Sequence, residues 1–309
     1  MKINKFVLFM LSAASSAVAL LSGMSVASAA TIRAFGITDS NQLLSFDITD
    51  PTKTKSVGVS GVNGTLLGVD FRPANGQLYG VSDTNDIYTI NPITGAATLQ
   101  STLSPLSFNG GEQSGVDFNP AADRLRLVGS NDQNFRINVD TGEIADFDAD
   151  TPGVQPDGTL TYAAGDANAG VSPNITAVGY TNSFLGAPAG RSTQLYGVDF
   201  ALDTLVLQDP PNAGTLNTIG SLGFDFDTVG GFDIFSPSNG VNTAYAASGG
   251  QFYGIDLATG AATNLSTIGD GSARLTGLTT ASVPEPATVG ALVFFGLVAF
   301  RRRRSAASA

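Results

Sequence analysis

The reactive side chains of this sequence are almost all carboxylates. The chain contains no histidine and no cysteine, which removes the most common general base, the Ser-His pair, the thiol nucleophile and most zinc sites. Between residues 31 and 282 the only lysines are Lys53 and Lys55, so a Ser-Lys pair is not expected. The sequence also lacks the P-loop and Rossmann fingerprints. The chemistry that remains is that of aspartate and glutamate.

Three aspartates occupy equivalent places in short apolar segments, and a glutamate precedes one of them. Asp70, Asp117 and Asp233 lie in LLGVDF, SGVDFNP and GGFDIF, and Glu112 lies in GGEQSGVDF. Glycosidases need two carboxylates, so Asp70 and Glu112 form a candidate catalytic pair. The alternative is architectural, with each repeated aspartate bonding the backbone of the neighbouring unit. We favour the architectural interpretation, because active sites usually break the symmetry of a repeat.

A second acidic cluster lies in DFDADTPGVQPD. Asp146, Asp148 and Asp150 alternate along the chain, and Asp157 is twelfth counting from Asp146. An EF-hand loop uses positions 1, 3, 5 and 12, but its Gly position is Thr151 here and its last position is Asp rather than Glu, so an EF-hand is excluded. One interpretation is a looser calcium site, and the other, which we favour, is a solvated acidic loop. We therefore expect no required cofactor, with calcium as the alternative.

The elements that position these acids repeat along the chain. Related segments begin near residues 34, 78, 125, 195 and 244, with steps of 44, 47, 70 and 49 residues. Each segment contains three short strands, the first two separated by a polar turn and the last two by a Thr-Gly or equivalent turn. A further strand precedes most of them, which gives the four strands of a β-propeller blade. The steps match blade periods of about 40–50 residues, and the long step contains an insertion around Asp146 to Gly170.

The first segment lacks a preceding strand of its own, and RLTGLTTA, from Arg274 to Ala281, supplies one. This strand would pair with the first segment and close the ring. The sequence therefore predicts an all-β fold, a single five-bladed propeller. A two-sheet sandwich and a propeller of another blade number are the alternatives. Aromatic residues at Tyr79, Tyr196 and Tyr253 could stack on sugars, but at repeated strand positions they more often fill the space between blades.

The charge of the predicted domain limits its partners. Without Lys2, Lys5, the four terminal arginines and Glu285, 25 acidic and 9 basic residues remain, for a net charge near −16. Such a charge disfavours nucleic acid and anionic membrane surfaces as partners, and no basic patch argues otherwise. Because cysteine is absent, disulfide bonds cannot stabilise the fold.

The N-terminus has the three parts of a secretory signal peptide. Lys2 and Lys5 precede an apolar run, and SVASAA follows with small residues at the spacing that signal peptidase requires. We expect cleavage after Ala29 or Ala30, and the alternative is a retained membrane anchor. The domain prediction is therefore a signal peptide at 1–30, a propeller at 31–282 and a C-terminal segment at 283–309.

The C-terminal segment looks like a second membrane element. An apolar run from Ala287 to Phe300 would be about 21 Å long as a helix, which is short for a bilayer core of about 30 Å. The arginines after it should stay cytoplasmic. A Pro-rich motif, an apolar helix and an arginine cluster resemble the PEP-CTERM sorting signal of bacteria, carried by Val283, Pro284, Glu285, Pro286 and by Arg301, Arg302, Arg303 and Arg304. The alternative is an ordinary tail anchor.

The PEP-CTERM resemblance implies a route and partners. It implies export with signal peptidase, an inner-membrane intermediate held by the tail, processing by an exosortase-type transpeptidase, and delivery to the cell surface or extracellular matrix, often beside exopolysaccharide. The span 31–281 also resembles an uncharacterised family of exported bacterial proteins with a domain of unknown function, through GDANAG, AVGYTNS, LYGVD and QDPPNAGTL.

Together these features favour an exported, non-enzymatic propeller that binds an extracellular glycan or surface protein, or acts structurally. The competing hypothesis is a carbohydrate-active enzyme with an acid pair in the propeller channel. Five-bladed sugar-processing enzymes provide the precedent for the second hypothesis. An asymmetric acid pair at one channel mouth would favour the enzyme, and a ring of equivalent aspartates bonded to backbone would favour the binding or structural role.

Overall fold

The computed structural model describes residues 31–111, 113–188 and 190–283. In this part the chain forms five β-sheets and one short 3₁₀ helix, Pro211–Ala213. The proposed signal peptide and the tail after Val283 lie outside the described residues. The prediction of an all-β, five-bladed propeller is confirmed, and the sandwich alternative is wrong, because five separate sheets surround one axis.

The strands follow one another around the ring in chain order. The first sheets contain β1 (Thr31–Ile37), β2 (Gln42–Asp47), β3 (Asp50–Gly58), β4 (Leu66–Phe71), β5 (Leu78–Ser82), β6 (Asp86–Ile90), β7 (Ala97–Thr102), β8 (Ser114–Asn119), β9 (Arg124–Gly129) and β10 (Asn134–Ile137). The remaining strands are β11 (Thr161–Tyr162), β12 (Ile175–Tyr180), β13 (Leu195–Asp199), β14 (Thr204–Gln208), β15 (Thr215–Ser221), β16 (Gly230–Ser238), β17 (Val241–Ser248), β18 (Gln251–Ile255), β19 (Ala262–Thr267) and β20 (Gly277–Val283).

Each sheet is one blade. Blade 1 has the strand order β20-β1-β2-β3, blade 2 has β4-β5-β6-β7, blade 3 has β8-β9-β10, blade 4 has β12-β13-β14-β15-β11, and blade 5 has β16-β17-β18-β19. The innermost strands β20, β4, β8, β12 and β16 each contact the next in a closed ring. They are therefore the elements that determine what faces the axis.

The ring closes through the two ends of the described chain. Strand β20 pairs with β1 along its whole length, with Thr31 opposite Val283 and Ile37 opposite Gly277. Blade 1 is thus completed by a strand that comes some 240 residues later in the sequence, as the RLTGLTTA segment predicted. Closure removes the exposed edge that β1 would otherwise present to solvent.

Blade 3 differs from the predicted four-strand blade. Its sheet has three strands, and a single bridge between Ile137 and Ile144 stands where a fourth strand would run. The chain then enters the insertion, whose short strand β11 joins blade 4 in parallel with β15. The physical reason is that the insertion is anchored by a buried side chain, since Asp157 bonds Arg126 of β9 and Arg136 of β10.

The apolar core is divided among the seams between neighbouring blades. Each of five buried clusters draws its main residues from two adjacent blades. Aromatic rings cross these seams edge to face, as Tyr79 does with Phe118 and Phe46 with Phe252. Burying rings in this way stabilises each blade against its neighbour, so every blade depends on the two beside it.

Candidate functional site

The five innermost strands share a three-residue pattern. A small residue is followed by an apolar residue and then by a residue that is aspartate in three blades. The triplets are Gly68-Val69-Asp70, Gly115-Val116-Asp117, Ala177-Val178-Gly179, Gly231-Phe232-Asp233 and Gly277-Leu278-Thr279. The pattern places equivalent side chains in one layer around the axis.

The small residue permits the innermost strands to approach one another closely. A Cβ atom on Gly231 would lie 2.5 Å from the backbone nitrogen of Leu278, and one on Gly68 would lie 2.7 Å from a methyl group of Val116. Real side chains do not tolerate such distances, so glycine is required where one backbone packs against another. The close approach brings the aspartate two residues later within reach of the next blade.

Each of the three aspartates accepts a hydrogen bond from the backbone of the next blade. Phe118 N donates to Asp70 Oδ2 over 2.7 Å, Tyr180 N donates to Asp117 Oδ1 over 3.1 Å, and Thr280 N donates to Asp233 Oδ2 over 2.6 Å. In all three cases the donor is the residue that follows the equivalent position of the next blade. These carboxylates therefore link blade 2 to 3, blade 3 to 4, and blade 5 to 1.

A threonine hydroxyl links blade 1 to blade 2 through Asp70. In blade 1 the equivalent position is Thr279, whose Oγ1 donates to Asp70 Oδ1 over 2.7 Å. The neighbouring Thr280 Oγ1 also donates to Asp233 Oδ2. Blade 4 has Gly179 at this position, where an added Cβ would lie 3.1 Å from the ring of Phe232. The fivefold arrangement is therefore chemically uneven, with three acids, one hydroxyl and one glycine.

The three carboxylates converge on one another. One oxygen from each of Asp70, Asp117 and Asp233 lies within 4.8 Å of the others, and each residue is at most 5 % exposed. Among the residues that the structure describes, no arginine or lysine forms an ion pair with any of them. We call these three residues the axial triad. They are the described acids whose positions suit a metal ion.

Burial and mutual repulsion disfavour ionisation of the axial triad. Burial raises the pKa of Asp70 to about 8, with a further contribution from the charge of Asp233. Burial, with the charges of Asp70 and Asp233, holds the pKa of Asp117 well above its ordinary value. Burial also raises the pKa of Asp233 to about 6. Hydrogen bonds from the neighbouring blades act in the opposite direction on all three, since they favour the charged form.

A small cavity lies between the five innermost strands, at the residues just before the axial triad. It offers about 10 Å³ to the centre of a water molecule, which is room for about one water. It is lined by the residues that precede the triad layer, including Val69, Val116 and Phe232. Ser114 and Thr176 also line it, and their hydroxyl oxygens are buried without a hydrogen-bond partner. The cavity therefore has polar groups available in a largely apolar wall.

The candidate catalytic pair is only half described. Asp70 lies in the axial triad, and Glu112 lies outside the described residues, so the pair Asp70 and Glu112 stays a prediction. Both oxygens of Asp70 accept hydrogen bonds, from Phe71 N, Phe118 N and Thr279 Oγ1. The sequence placed the three aspartates in equivalent strands, but it did not predict that they meet, because that depends on the diameter of the closed ring.

The structure does not bring the second acidic cluster together. Asp157 is buried and accepts hydrogen bonds from Arg126 and Arg136, so its charge is already neutralised. Asp146 and Asp148 instead accept hydrogen bonds from the backbone of their own exposed loop, and Asp150 is exposed. Among the described acids no metal-like group includes any of these four residues. The looser calcium site over Asp146, Asp148, Asp150 and Asp157 stays a prediction, although its twelfth position, Asp157, already bonds two guanidinium groups.

The repeated tyrosines lie between blades rather than on an open surface. Tyr79 and Tyr196 are buried in seam clusters, and Tyr253 stacks on Phe224 with ring centroids 4.0 Å apart. Tyr79 also packs edge to face on Phe118 of the next blade. Packing between blades therefore explains why tyrosine recurs at these strand positions.

The sorting residues fall almost entirely outside the described residues. Val283 is the last residue of β20 and pairs with Thr31, one residue beyond the predicted domain end at 282. The other residues predicted for the two signals lie outside the described part of the chain: Ala29, Ala30, Pro284, Glu285, Pro286, Arg301, Arg302, Arg303 and Arg304. Within the described part of the chain, no helix has the length and apolar character needed to cross a membrane.

Comparison with known proteins identifies a family but no activity. The family model described as "Domain of unknown function (DUF4394)" matches residues 42–279. None of the curated proteins matches the chain.

Among solved structures, the chain is similar to a structural genomics protein of unknown function from Bacteroides thetaiotaomicron, with 16 % identity, a TM-score of 0.42, and coverage of 77 % of this chain and 58 % of the other. It is also similar to an auxiliary nutrient binding protein from Bacteroides ovatus, with 16 % identity, a TM-score of 0.37, and coverage of 74 % and 54 %. In both cases the chain spans less than two thirds of the other protein.

Proposed function

This chain belongs to the DUF4394 family, and from that premise we propose that it is an exported, non-enzymatic β-propeller that serves as a binding or structural component at the cell surface or in the extracellular matrix. Its ligand would be an extracellular glycan or a surface protein. The family description assigns no activity, so the proposal depends on the site and on the sequence signals.

The proposal that the protein is not an enzyme depends mainly on the hydrogen bonds of the axial triad. The three acids occupy equivalent positions, and each accepts a backbone hydrogen bond from the next blade. A glycosidase needs one carboxyl group as acid and another as base or nucleophile, in different environments. Equivalent acids that link the blades support an architectural role instead.

Export and surface display are supported by the two ends of the sequence. The signal peptide supports signal peptidase as a partner, and the resemblance to the PEP-CTERM signal supports an exosortase-type transpeptidase and a transient membrane intermediate held by the tail. The same resemblance supports an association with exopolysaccharide. The strongly acidic domain is compatible with a neutral glycan or a basic surface protein as ligand, and it argues against nucleic acid.

A single incubation tests binding against catalysis. The full chain is mixed with the exopolysaccharide of the producing organism, and both co-sedimentation and new reducing ends are measured over time. We expect the polysaccharide to retain the protein without any increase in reducing ends. An increase that Glu112→Gln abolishes and Glu143→Gln preserves would overturn the proposal and establish a glycosidase.

A second experiment tests the route. Cells expressing the chain with an epitope tag after Ala309 are fractionated, and the domain and tag are followed separately. We expect the domain at the surface or in the matrix without the tag, and we expect alanine at Arg301 to Arg304 to leave unprocessed protein in the membrane. A domain that stays in the cytoplasm with its tag intact would contradict export.

A further inference from the structure

Two opposing effects act on the charge of the axial triad: burial disfavours ionised carboxylates, and backbone donors favour them. Three carboxylates lie within 4.8 Å of one another in a buried position, where uncompensated charges are very costly. Yet four backbone N–H groups, which can only donate, point at these carboxylates from Phe71, Phe118, Tyr180 and Thr280. Donors of this kind favour the ionised form. These donors favour negative charge at the site, yet within residues 31–111, 113–188 and 190–283 no arginine or lysine pairs with the three acids.

A second observation comes from the wall of the cavity. Ser114 Oγ and Thr176 Oγ1 are buried, in residues 3 % and 1 % exposed, and neither has a hydrogen-bond partner among the described residues. Both residues line the small cavity on the axis, whose wall is formed by the residues just before the axial triad on the same strands. A buried hydroxyl without a partner is rare in a native protein and indicates an occupant that satisfies it. Bound water in this cavity would satisfy the hydroxyls, next to the strands that carry the three carboxylates.

The donor set indicates the class of ion. All available ligands are oxygen atoms, because the chain has neither histidine nor cysteine, and such a set suits hard cations. Calcium binds oxygen at about 2.3–2.6 Å, so two oxygens on one calcium ion lie at most about 5 Å apart. The separations within the axial triad fall inside that limit. Magnesium, with oxygens at about 2.0–2.1 Å, holds its ligands at most about 4.2 Å apart and so sets a tighter limit than calcium.

We propose that Asp70, Asp117 and Asp233 form a binding site for a hard divalent cation, calcium in the first instance, on the axis of the propeller. The ion is structural: it balances the charge of three acids that come from blades 2, 3 and 5, and it thereby fastens those blades at the centre. Each carboxylate can bind calcium through one oxygen or both, and water completes the six to eight oxygens that calcium takes. This role goes beyond the proposed function and does not depend on it.

The test is direct measurement of bound calcium on the full chain. Protein is dialysed against calcium, desalted and analysed for metal content, and its Tm is measured in calcium and after removal of metal by chelator. We expect one calcium per chain and a rise in Tm of about 5–10 °C at a calcium concentration one hundred times the Kd. A wild-type chain that retains no calcium and shows no shift in Tm would overturn the proposal, whatever the variants do.

Two matched variants locate the site. Asp117→Asn removes one charge but leaves an amide oxygen that can still accept the hydrogen bond from Tyr180 N, so the link between blades is preserved. The control, Asp146→Asn with Asp148→Asn, removes two charges from the exposed loop. We expect Asp117→Asn to lower calcium affinity at least tenfold and the control to leave it unchanged. The opposite pattern would place the ion in the loop and contradict the proposal.

The assay is independent of the proposed function. Polysaccharide retention and reducing ends are measured separately, so loss of either result does not alter the calcium measurement. If Asp117→Asn does not fold, the metal content and Tm response of the wild-type chain still decide the question. A response to magnesium and calcium of equal size would support the hard-cation site and remove the preference for calcium.

Discussion

Two places in this protein bury aspartate, and they neutralise it in different ways. At the edge of blade 3, Asp157 is 4 % exposed and bonds Arg126 over 2.5 Å and Arg136 over 2.7 Å. At the axis, the three acids of the triad are buried as deeply but meet only backbone donors, hydroxyls and one another. The comparison shows that the same residue type can be held by a paired cation in one region and left without one in another.

The difference has consequences for what each region depends on. Arg126 is fully buried and also bonds Tyr180, Asn134 and Asn212, so this network ties the insertion to blades 3 and 4 with groups that the chain supplies itself. The axial triad needs either protons or an external cation to balance its charge. The stability of the ring centre should therefore respond to pH and metal, and that of the Asp157 network should not respond to metal.

The largest effect is expected from breaking the Asp157 network. Asp157→Asn leaves the buried guanidinium of Arg126 without its counter-charge, and removal of one partner of a buried pair typically costs about 3–5 kcal/mol. Urea unfolding of the full chain measures the loss. Asp50→Asn is the control, because Asp50 pairs with Lys53 on the surface and should show no measurable change. Equal losses in the two variants would contradict the distinction between buried and surface pairs.

The next effect concerns the packing that brings the axial triad together. Gly231→Ala places a Cβ atom against the backbone of Leu278, which forces β16 away from β20 and costs about 1–3 kcal/mol. The same variant should weaken calcium binding, because Asp233 moves with its strand. Gly165→Ala, where nothing lies within 4 Å of the added atom, is the matched control. A Gly231→Ala protein as stable as that control would show that close packing of these strands is not needed.

A graded effect is expected from pH in the absence of metal. The pKa of Asp70 is raised to about 8 and that of Asp233 to about 6, against an ordinary value of about 3.9 in the unfolded chain. Between about pH 4 and pH 8 the unfolded chain has released protons that the folded chain still holds, so stability falls as pH rises. Urea unfolding of chelator-treated protein across this range measures the slope.

Two comparisons test the cause of the pH effect. The pH slope of stability in the chelator-treated wild-type chain is compared with the slope in Asp117→Asn and with the slope in saturating calcium. Removing one of the three interacting acids lowers the repulsion on the other two, so the slope should become shallower in this variant. Saturating calcium should also reduce the slope in the wild-type chain. A wild-type stability that rises with pH in chelator would mean that the triad is not protonated in the folded state.

The smallest effect is expected from an exposed counterpart of the Asp157 network. Arg274 donates to Asp227 over 2.9 Å, with side chains 56 % and 27 % exposed. Exposed pairs of this kind contribute about 0–1 kcal/mol, so Arg274→Ala should cost less than about 1 kcal/mol, and less again in 1 M salt. A loss comparable to that of Asp157→Asn would show that burial is not what separates the two pairs.

Part of the candidate site was predictable from local pattern. The recurrence of Asp70, Asp117 and Asp233 in similar apolar segments indicated equivalent innermost strands, and the structure has them in β4, β8 and β16. The surroundings of Asp157 were not predictable in this way, because spacing alone shows only that it stands at the twelfth position of the acidic loop. Its true partners, Arg126 and Arg136, lie 31 and 21 residues earlier, and no local pattern in the sequence links them to it.

The sequence by itself determined the five repeated units, the closing strand and the absence of thiol and imidazole chemistry. These properties follow from residue type and from periods that repeat within a few tens of residues. Only the tertiary structure decided that three aspartates converge within 4.8 Å and that Asp157 is neutralised by two arginines. Convergence depends on how many blades close the ring and how closely glycine lets their strands approach, and charge balance depends on which side chains share a buried space.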